Sequence, residues 1–203
     1  MPTQQYSNIN LGFDNVTVLI TNDPLMVDSW IADIERIHRW RLDRLVVGLD
    51  IEWRPYYVFS GYSNPVAVLQ LCVGRRCLVF QILYAPYVPY SLYEFFQNNY
   101  YTFVGVGIEG DVEKLEAEHG LRVENAADIG HIAAEQYGHD GLKNAGMRRL
   151  AMLILNLVID KPMEVTLSAW DSLNLSFPQI RYAAADAFVS FEMGRVLQAW
   201  LYY

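Results

Sequence analysis

The chain has 203 residues, 53% of them hydrophobic and 19% charged, with a net charge of −8. That length suits one domain with a sizeable core. The acidic balance excludes gripping a polyanion through overall charge, so such a partner needs local basic groups or bound cations.

Residues 1–15 are polar and rich in Asn and Gln, which predicts a flexible N-terminal arm ahead of a single domain over 16–203. The first 15 residues lack the basic and apolar segments of a secretory signal. The longest apolar run, Leu150 to Ile159, is broken by Asn156 and too short for a bilayer. An intracellular placement, nuclear or cytoplasmic, with no membrane partner is therefore expected. Val16 to Thr21 reads as a first strand. Thr21-Asn22-Asp23-Pro24 is a helix start, with Asp or Asn as cap and Pro in the first turn. Over about 24–40, Met26, Trp30, Ile31, Ile34 and Ile37 recur on one helical face.

Val46-Val47-Gly48-Leu49-Asp50-Ile51-Glu52-Trp53 follows, an apolar, β-favouring run that predicts a strand buried on both faces. Successive strand side chains point to opposite faces, so Asp50 and Glu52 share one. Two like charges that close repel unless a cation sits between them, and hard carboxylate oxygens suit a divalent one.

A loop from Arg54-Pro55 to Pro65 leads to two strands, Val66 to Val73 and Arg76 to Ile82, that turn at Gly74-Arg75. With the carboxylate strand they make a three-stranded antiparallel unit. Cys72 and Cys77 flank the turn and read as reduced thiols of a hairpin. Tyr84, Tyr87, Tyr90 and Tyr93 recur every third residue before a short helix, a stripe that reads as core or partner surface. Phe103 to Val106 is a short buried strand, and Gly105, Gly107 and Gly110 lead into a helix starting near Asp111. Leu121 to Ala127 reads as another strand, before helices around 129–137 and 143–157. A loop with Lys161-Pro162 and Trp170 precedes a last helix from about Pro178 to Leu201. The class is α/β, a mixed sheet of five or six strands flanked by helices.

Three positions join the paired carboxylates. Asp111 follows a glycine-rich strand end and reads either as a ligand or as the cap of its helix. Tyr182 and Asp186 are four residues apart on one helical face, among Ala183, Ala184, Ala185 and Ala187, whose small side chains permit close packing.

Asp50-Ile51-Glu52-Trp53, Gly105-Val106-Gly107-Ile108-Glu109-Gly110-Asp111 and Tyr182-Ala183-Ala184-Ala185-Asp186-Ala187 resemble, in order, the three motifs of the DEDDy branch of DnaQ-like 3′–5′ exonucleases. The likeness is greatest to Werner-syndrome-type exonuclease domains and then ribonuclease D. It extends over about residues 16–200, including Gln70-Leu71-Cys72 and Leu167-Ser168-Ala169-Trp170. The resemblance implies a ribonuclease H-like fold in which Asp50, Glu52, Asp111 and Asp186 hold two divalent cations, Mg²⁺ or Mn²⁺, and Tyr182 orients the attacking water. It implies hydrolysis at nucleic-acid 3′ ends, DNA or RNA, with nucleoside 5′-monophosphates released. Paired cations activate water at neutral pH and relieve charge in the transition state. Trp53, Arg54, Ile108 and Arg181 are the positions it suggests for substrate contact. His38, His119, His131 and His139 are far in sequence from Asp186 and read as surface or core residues.

The helix after Asp111 reads Val112-Glu113-Lys114-Leu115-Glu116-Ala117-Glu118, acidic where the relatives carry an aromatic. Basic groups for a phosphate backbone are few: Arg54, Lys143, Arg148, Arg149, Lys161 and Arg181. Weak, salt-sensitive and distributive action is the corresponding expectation. The other reading is a catalytically weak or inert binding or assembly module on the same fold. Its contact surfaces would be the Tyr-rich segment and the C-terminal Leu197, Trp200, Leu201, Tyr202 and Tyr203. Exposed aromatics predict a homo-oligomer, with a ring as one closed form, and a helicase-type partner would be a separate chain.

Overall fold

Most strands form where the sequence is apolar or β-branched, and in the computed structural model, which describes residues 4–55 and 64–202, they join one mixed sheet. They are β1 (Gln4–Asn10), β2 (Asn15–Thr21), β3 (Leu45–Glu52), β4 (Val68–Val73), β5 (Arg76–Phe80), β6 (Tyr101–Gly105) and β7 (Ala126–Asp128). Among the described residues the sheet has seven strands in the order β1-β2-β5-β4-β3-β6-β7. The antiparallel unit β3-β4-β5 is present, while β2 runs parallel to β5, and β3 parallel to β6. The carboxylate strand β3 is thus flanked on both sides, which fits its near-continuous apolar run.

Two expectations fail at the N-terminal half of the sheet. Residues 4–10, read as part of a flexible arm, are the antiparallel edge strand β1, paired with β2. An edge strand needs only backbone partners on one side, so a polar composition does not forbid it; residues 1–3 lie outside the described ones. This strand raises the sheet to seven where five or six were expected, while β7 falls at the end of the strand expected over Leu121 to Ala127. Cys72 and Cys77, read as reduced, face each other across β4 and β5 and are joined as a disulfide. Their Cα atoms are only 4.1 Å apart, the close spacing of a directly opposed antiparallel pair. The hairpin turns on Gly74, whose positive φ of 58° suits a two-residue loop. Of the loop expected between Arg54 and Pro65, residues 56–63 lie outside the described ones.

Helix α1 (Pro24–His38) is capped by the Asp23 side chain, which accepts from the Leu25 N–H, with Pro in the first turn. It buries Val27, Trp30, Ile31 and Ile34, whereas Ile37 at the end of the expected stripe is exposed. Helix α2 (Tyr90–Gln97) brings Phe95 and Phe96 edge-on to Phe103, and Phe95 also meets Trp30. The other helices are α3 (Ile108–His119), α4 (Ile129–Tyr137), α5 (Met147–Leu155), the short α6 (Met163–Thr166) and α7 (Phe177–Val196).

Helix α7 determines where the site lies. It starts with a capping box in which Ser176 and Gln179 satisfy each other's backbone N–H groups. It then packs across β3 and β4 on the face opposite the Phe95–Phe103 cluster. Gly48 on β3 and Gly194 on α7 permit that approach: a Cβ on Gly48 would lie 2.0 Å from the Ala187 carbonyl oxygen, and one on Gly194 would lie 2.7 Å from Val104. The helix ends at Val196 rather than Leu201, because Gln198 turns left-handed with φ 53°. Leu197, expected at a contact surface, is buried; Leu201 is exposed and Tyr203 lies outside the described residues. Among the described residues, no helix is long and apolar enough to cross a membrane.

Candidate metal centre

Strand alternation puts Asp50 and Glu52 on the same face as Gly48, the face against which α7 packs. The helix carries Asp186 down beside them. Oxygen atoms of Asp50, Glu52 and Asp186 all lie within 4.8 Å of one another. Asp186, in an alanine-rich helix where solvation would be ordinary, is only 4% exposed. The three border a cavity of about 320 Å³ together with Trp53, Val106, Asp111, Lys161 and Tyr182.

Asp111 belongs to the cavity but not to the tight triplet. Nor does it cap α3: the cap is Gly107, at φ 74°, and Asp111 sits in the helix's first turn. The Asp128 carboxylate holds that corner, accepting from the Gly107 N–H at 2.6 Å and the His131 N–H at 3.1 Å.

The carboxylates are strained by each other's charge. Burial, then Asp186, Glu52 and Asp111, hold Asp50 well above the usual carboxylate range. Burial followed by Asp186 lifts Glu52 to about 9, and burial followed by Asp128 lifts Asp111 to about 7. Asp186 is also raised by burial, against hydrogen bonds from Lys161 and Tyr182. Such a set of hard oxygen donors, unwilling to be anionic together, fits a divalent cation.

The sequence reading missed one cation already there. Lys161, counted among the basic groups for a phosphate backbone, instead places Nζ 2.5 Å from Asp186 Oδ2 and 5.1 Å from the centre of the Tyr182 ring. Burial opposes its charge, yet Asp186 and Asp50 outweigh that and hold it above the ordinary lysine value. Arg148 fixes the loop by donating to the Lys161 carbonyl at 2.7 Å. Nothing in sequence spacing distinguishes Lys161 from Lys143 or Arg149.

Tyr182 is buried, with Thr166 donating to its hydroxyl at 3.0 Å and Trp170 packed 5.9 Å away. Burial and then Asp186 raise its hydroxyl to about 12, so it is neutral at physiological pH and able to donate or orient but not to act as a base.

The four suggested substrate-contact residues separate. Trp53 lines the cavity, with Lys114 Nζ 5.3 Å from its ring centre. Ile108 is wholly buried under Gly105 and offers no surface. Arg54 is held by the Asp171 carboxylate, its Nε 2.6 Å from Oδ1. Arg181 donates to the Asn10 and Leu11 carbonyls, each at 2.9 Å, and ties α7 to the end of β1 rather than facing the cavity.

This electrostatics predicts a pH-dependent melting temperature. In the folded state Glu52 and Asp111 keep protons that the unfolded chain loses near the ordinary values of 4.5 and 3.8. Their stability is therefore full below those values and is lost as pH rises, through about 7 for Asp111 and about 9 for Glu52. His38 and His119, lowered by burial, act in the opposite sense only below about 6.5. Without metal, Tm should fall by about 5 °C or more from about pH 6.5 to about pH 9, since one kcal/mol is worth about 2–4 °C at this size. Lys161→Met should steepen the fall, and Mn²⁺ should reverse it most at the alkaline end. Calorimetry showing a flat profile in both proteins would refute this.

A family model described as 3′–5′ exonuclease matches residues 25–201. A 3′–5′ exonuclease of Arabidopsis thaliana is 33% identical over 153 residues, 75% of this chain and 52% of that protein. The Mus musculus bifunctional 3′–5′ exonuclease/ATP-dependent helicase WRN is 33% identical over 147 residues, 70% of this chain and 10% of that one. The chain thus spans about half the length of the first and a small part of the second. Escherichia coli RNase D superposes with a TM-score of 0.69 at 17% identity, over 89% of this chain and 44% of that one. The EXO domain of Aedes aegypti Nibbler gives 0.68 at 18%, over 90% and 88%. These two show the fold, which is ribonuclease H-like. An EXD2 exonuclease domain soaked in Mn gives 0.50 at 25% identity, over 90% of each chain.

Proposed function

The chain belongs to the 3′–5′ exonuclease family, and from that premise we propose that it removes nucleotides from the 3′ ends of DNA or RNA as nucleoside 5′-monophosphates. The observation that carries the proposal is the meeting of Asp50, Glu52 and Asp186 within 4.8 Å, from a strand and a helix more than 130 residues apart in sequence. In this reading Asp50, Glu52, Asp111 and Asp186 hold two divalent cations, Mg²⁺ or Mn²⁺. Bound there, they would supply the acidity that activates water and the positive charge that stabilises a phosphoryl transition state. Tyr182, kept neutral, orients the water through its hydroxyl. Lys161 holds Asp186 in place. Trp53 offers the cavity an aromatic wall for the terminal base.

The test is a 5′-labelled oligonucleotide incubated with Mn²⁺ or Mg²⁺. A ladder shortened from the 3′ end, with 5′-monophosphates as the small products, is the expected result. Internal cuts, or no shortening with either metal, would overturn it.

The proposal extends to self-association through Tyr87 and Tyr90, just before and at the start of α2, which stand 57% and 75% exposed. Sedimentation equilibrium at micromolar concentration should give a mass above that of one chain; a monomer removes this part alone.

A further inference from the structure

Basic groups are sparse around the carboxylates, but they concentrate at the other end of the same strand. Between the end of α1 and the start of β3, the run Arg36-Ile37-His38-Arg39-Trp40-Arg41-Leu42-Asp43-Arg44 sets four arginines against one aspartate in a chain whose net charge is −8. The run borders a cavity of about 560 Å³, lined by Trp40, Arg41, Arg44, Arg195 and Trp200 over a floor that includes Leu45. Leu45 begins β3 and Glu52 ends it. At about 3.3 Å per residue the two sites lie roughly 20 Å apart.

The charges there are only partly answered. Arg195 pairs with Glu192 at 2.7 Å, and Arg44 meets Asp43 at 3.5 Å with both side chains 65% exposed, a pair of little strength. Arg41 meets no carboxylate among the described residues and instead points Nε at His38 Nδ1, 3.2 Å away. His38 registers the positive field: burial first, then Arg41 and Arg76, hold it below the ordinary imidazole value. Trp40 is 84% exposed, with the Arg39 guanidinium 4.9 Å from its ring centre.

Guanidinium forks match phosphate oxygens, and an exposed indole offers a stacking face for a base. Aliphatic or acidic peptide ligands would use only half of this set. We propose that the cavity bounded by Trp40, Arg41, Arg44, Arg195 and Trp200 is a second nucleotide-binding site, which takes a nucleotide unit of a single strand with phosphate on Arg41 and Arg44 and base on Trp40. The same chemistry would take a free nucleoside monophosphate, and the experiment separates the two sources. The site does not depend on hydrolysis at the carboxylates.

Binding is measured by fluorescence anisotropy of a fluorescein-labelled oligothymidylate and an oligoadenylate, in EDTA and in an Asp50→Asn background, so that nuclease activity plays no part. Arg41→Ala/Arg44→Ala should weaken binding about 10-fold or more and reduce the log–log salt slope by about 1.4, as expected for two lost single-strand phosphate contacts. Trp40→Ala should weaken it about 5-fold or more through lost stacking. These residues are at the surface, and circular dichroism melting verifies that the variants fold. Thymidine or adenosine monophosphate binding by calorimetry with similar affinity, abolished by the same arginine changes, would assign the cavity to the free nucleotide. No binding by the monophosphate assigns it to the strand. Unchanged oligonucleotide affinity in the double variant, or equal competition by polyglutamate, would overturn the proposal.

Discussion

An Asp50→Asn variant is expected to lose about 10³-fold or more of metal-dependent 3′ shortening while melting no lower than the parent protein. A loss of that size is about 4 kcal/mol of transition-state stabilisation, within what charge neutralisation at a phosphoryl centre supplies. The amide keeps the shape of the carboxylate, so packing on β3 is unchanged. It removes the charge whose burial and repulsion by Asp186, Glu52 and Asp111 push Asp50 far above its ordinary range. Without metal, the variant should therefore be at least as stable, a trade of stability for function. It should also lose most of the melting shift that Mn²⁺ gives the parent. Glu109 provides the control: it lies in the first turn of the same helix as Asp111, 74% exposed, and its near neighbour is His131 at 3.6 Å. Glu109→Gln should leave the rate within about 2-fold, as surface changes away from a site usually do. Residual activity in Asp50→Asn within 10-fold of the parent would remove the carboxylates from the chemistry. Loss of activity accompanied by a melting point lower by 10 °C would mean that folding, not catalysis, had been measured.

What could be read from the sequence follows periodicity and short spacing. Asp50 and Glu52 share a face because strands alternate, and Tyr182 and Asp186 share one because helices return after four residues. That the two pairs meet could not be read from either; it came from the resemblance of the ordered motifs, and it matches the approach of α7 to β3. The residues misassigned are those whose partners are remote. Arg54 answers to Asp171, and Arg181 to carbonyls at Asn10 and Leu11, across 117 and 170 or more positions. Lys161 becomes part of the site only because a loop folds back over Asp186. Ile108 opens its helix beneath Gly105, and whether it faced the cavity or the core depended on an orientation that only the assembled corner fixes. Polar β1 had no apolar alternation to announce it, since its pairing with β2 uses backbone groups.

Gly48→Ala, a single methyl remote from any reacting atom, should destabilise the fold by about 3 kcal/mol or more, lowering Tm by roughly 10 °C, and should disperse the site as well. The added Cβ would fall 2.0 Å from the Ala187 carbonyl oxygen and 2.7 Å from the Phe191 nitrogen. Those are the acceptor and donor of one helical i to i+4 hydrogen bond, so the obstacle is backbone, which cannot swing aside as a side chain does. The helix must lift off the strand or the strand must bend. Ala187 adjoins Asp186, and Gly48 lies two residues before Asp50 on the same face of β3, so any lift at this contact widens the gap between the carboxylates. The variant should bind Mn²⁺ more weakly even at temperatures where it remains folded, which a loss of stability alone would not cause. Gly74→Asn is the matched comparison: its Cβ would meet nothing within 4 Å, and Asn tolerates the positive φ of 58°, so stability should change by less than about 1 kcal/mol. If Gly48→Ala melts within 2 °C of the parent and binds Mn²⁺ equally well, then the close approach of α7 to β3 is not what assembles the carboxylates.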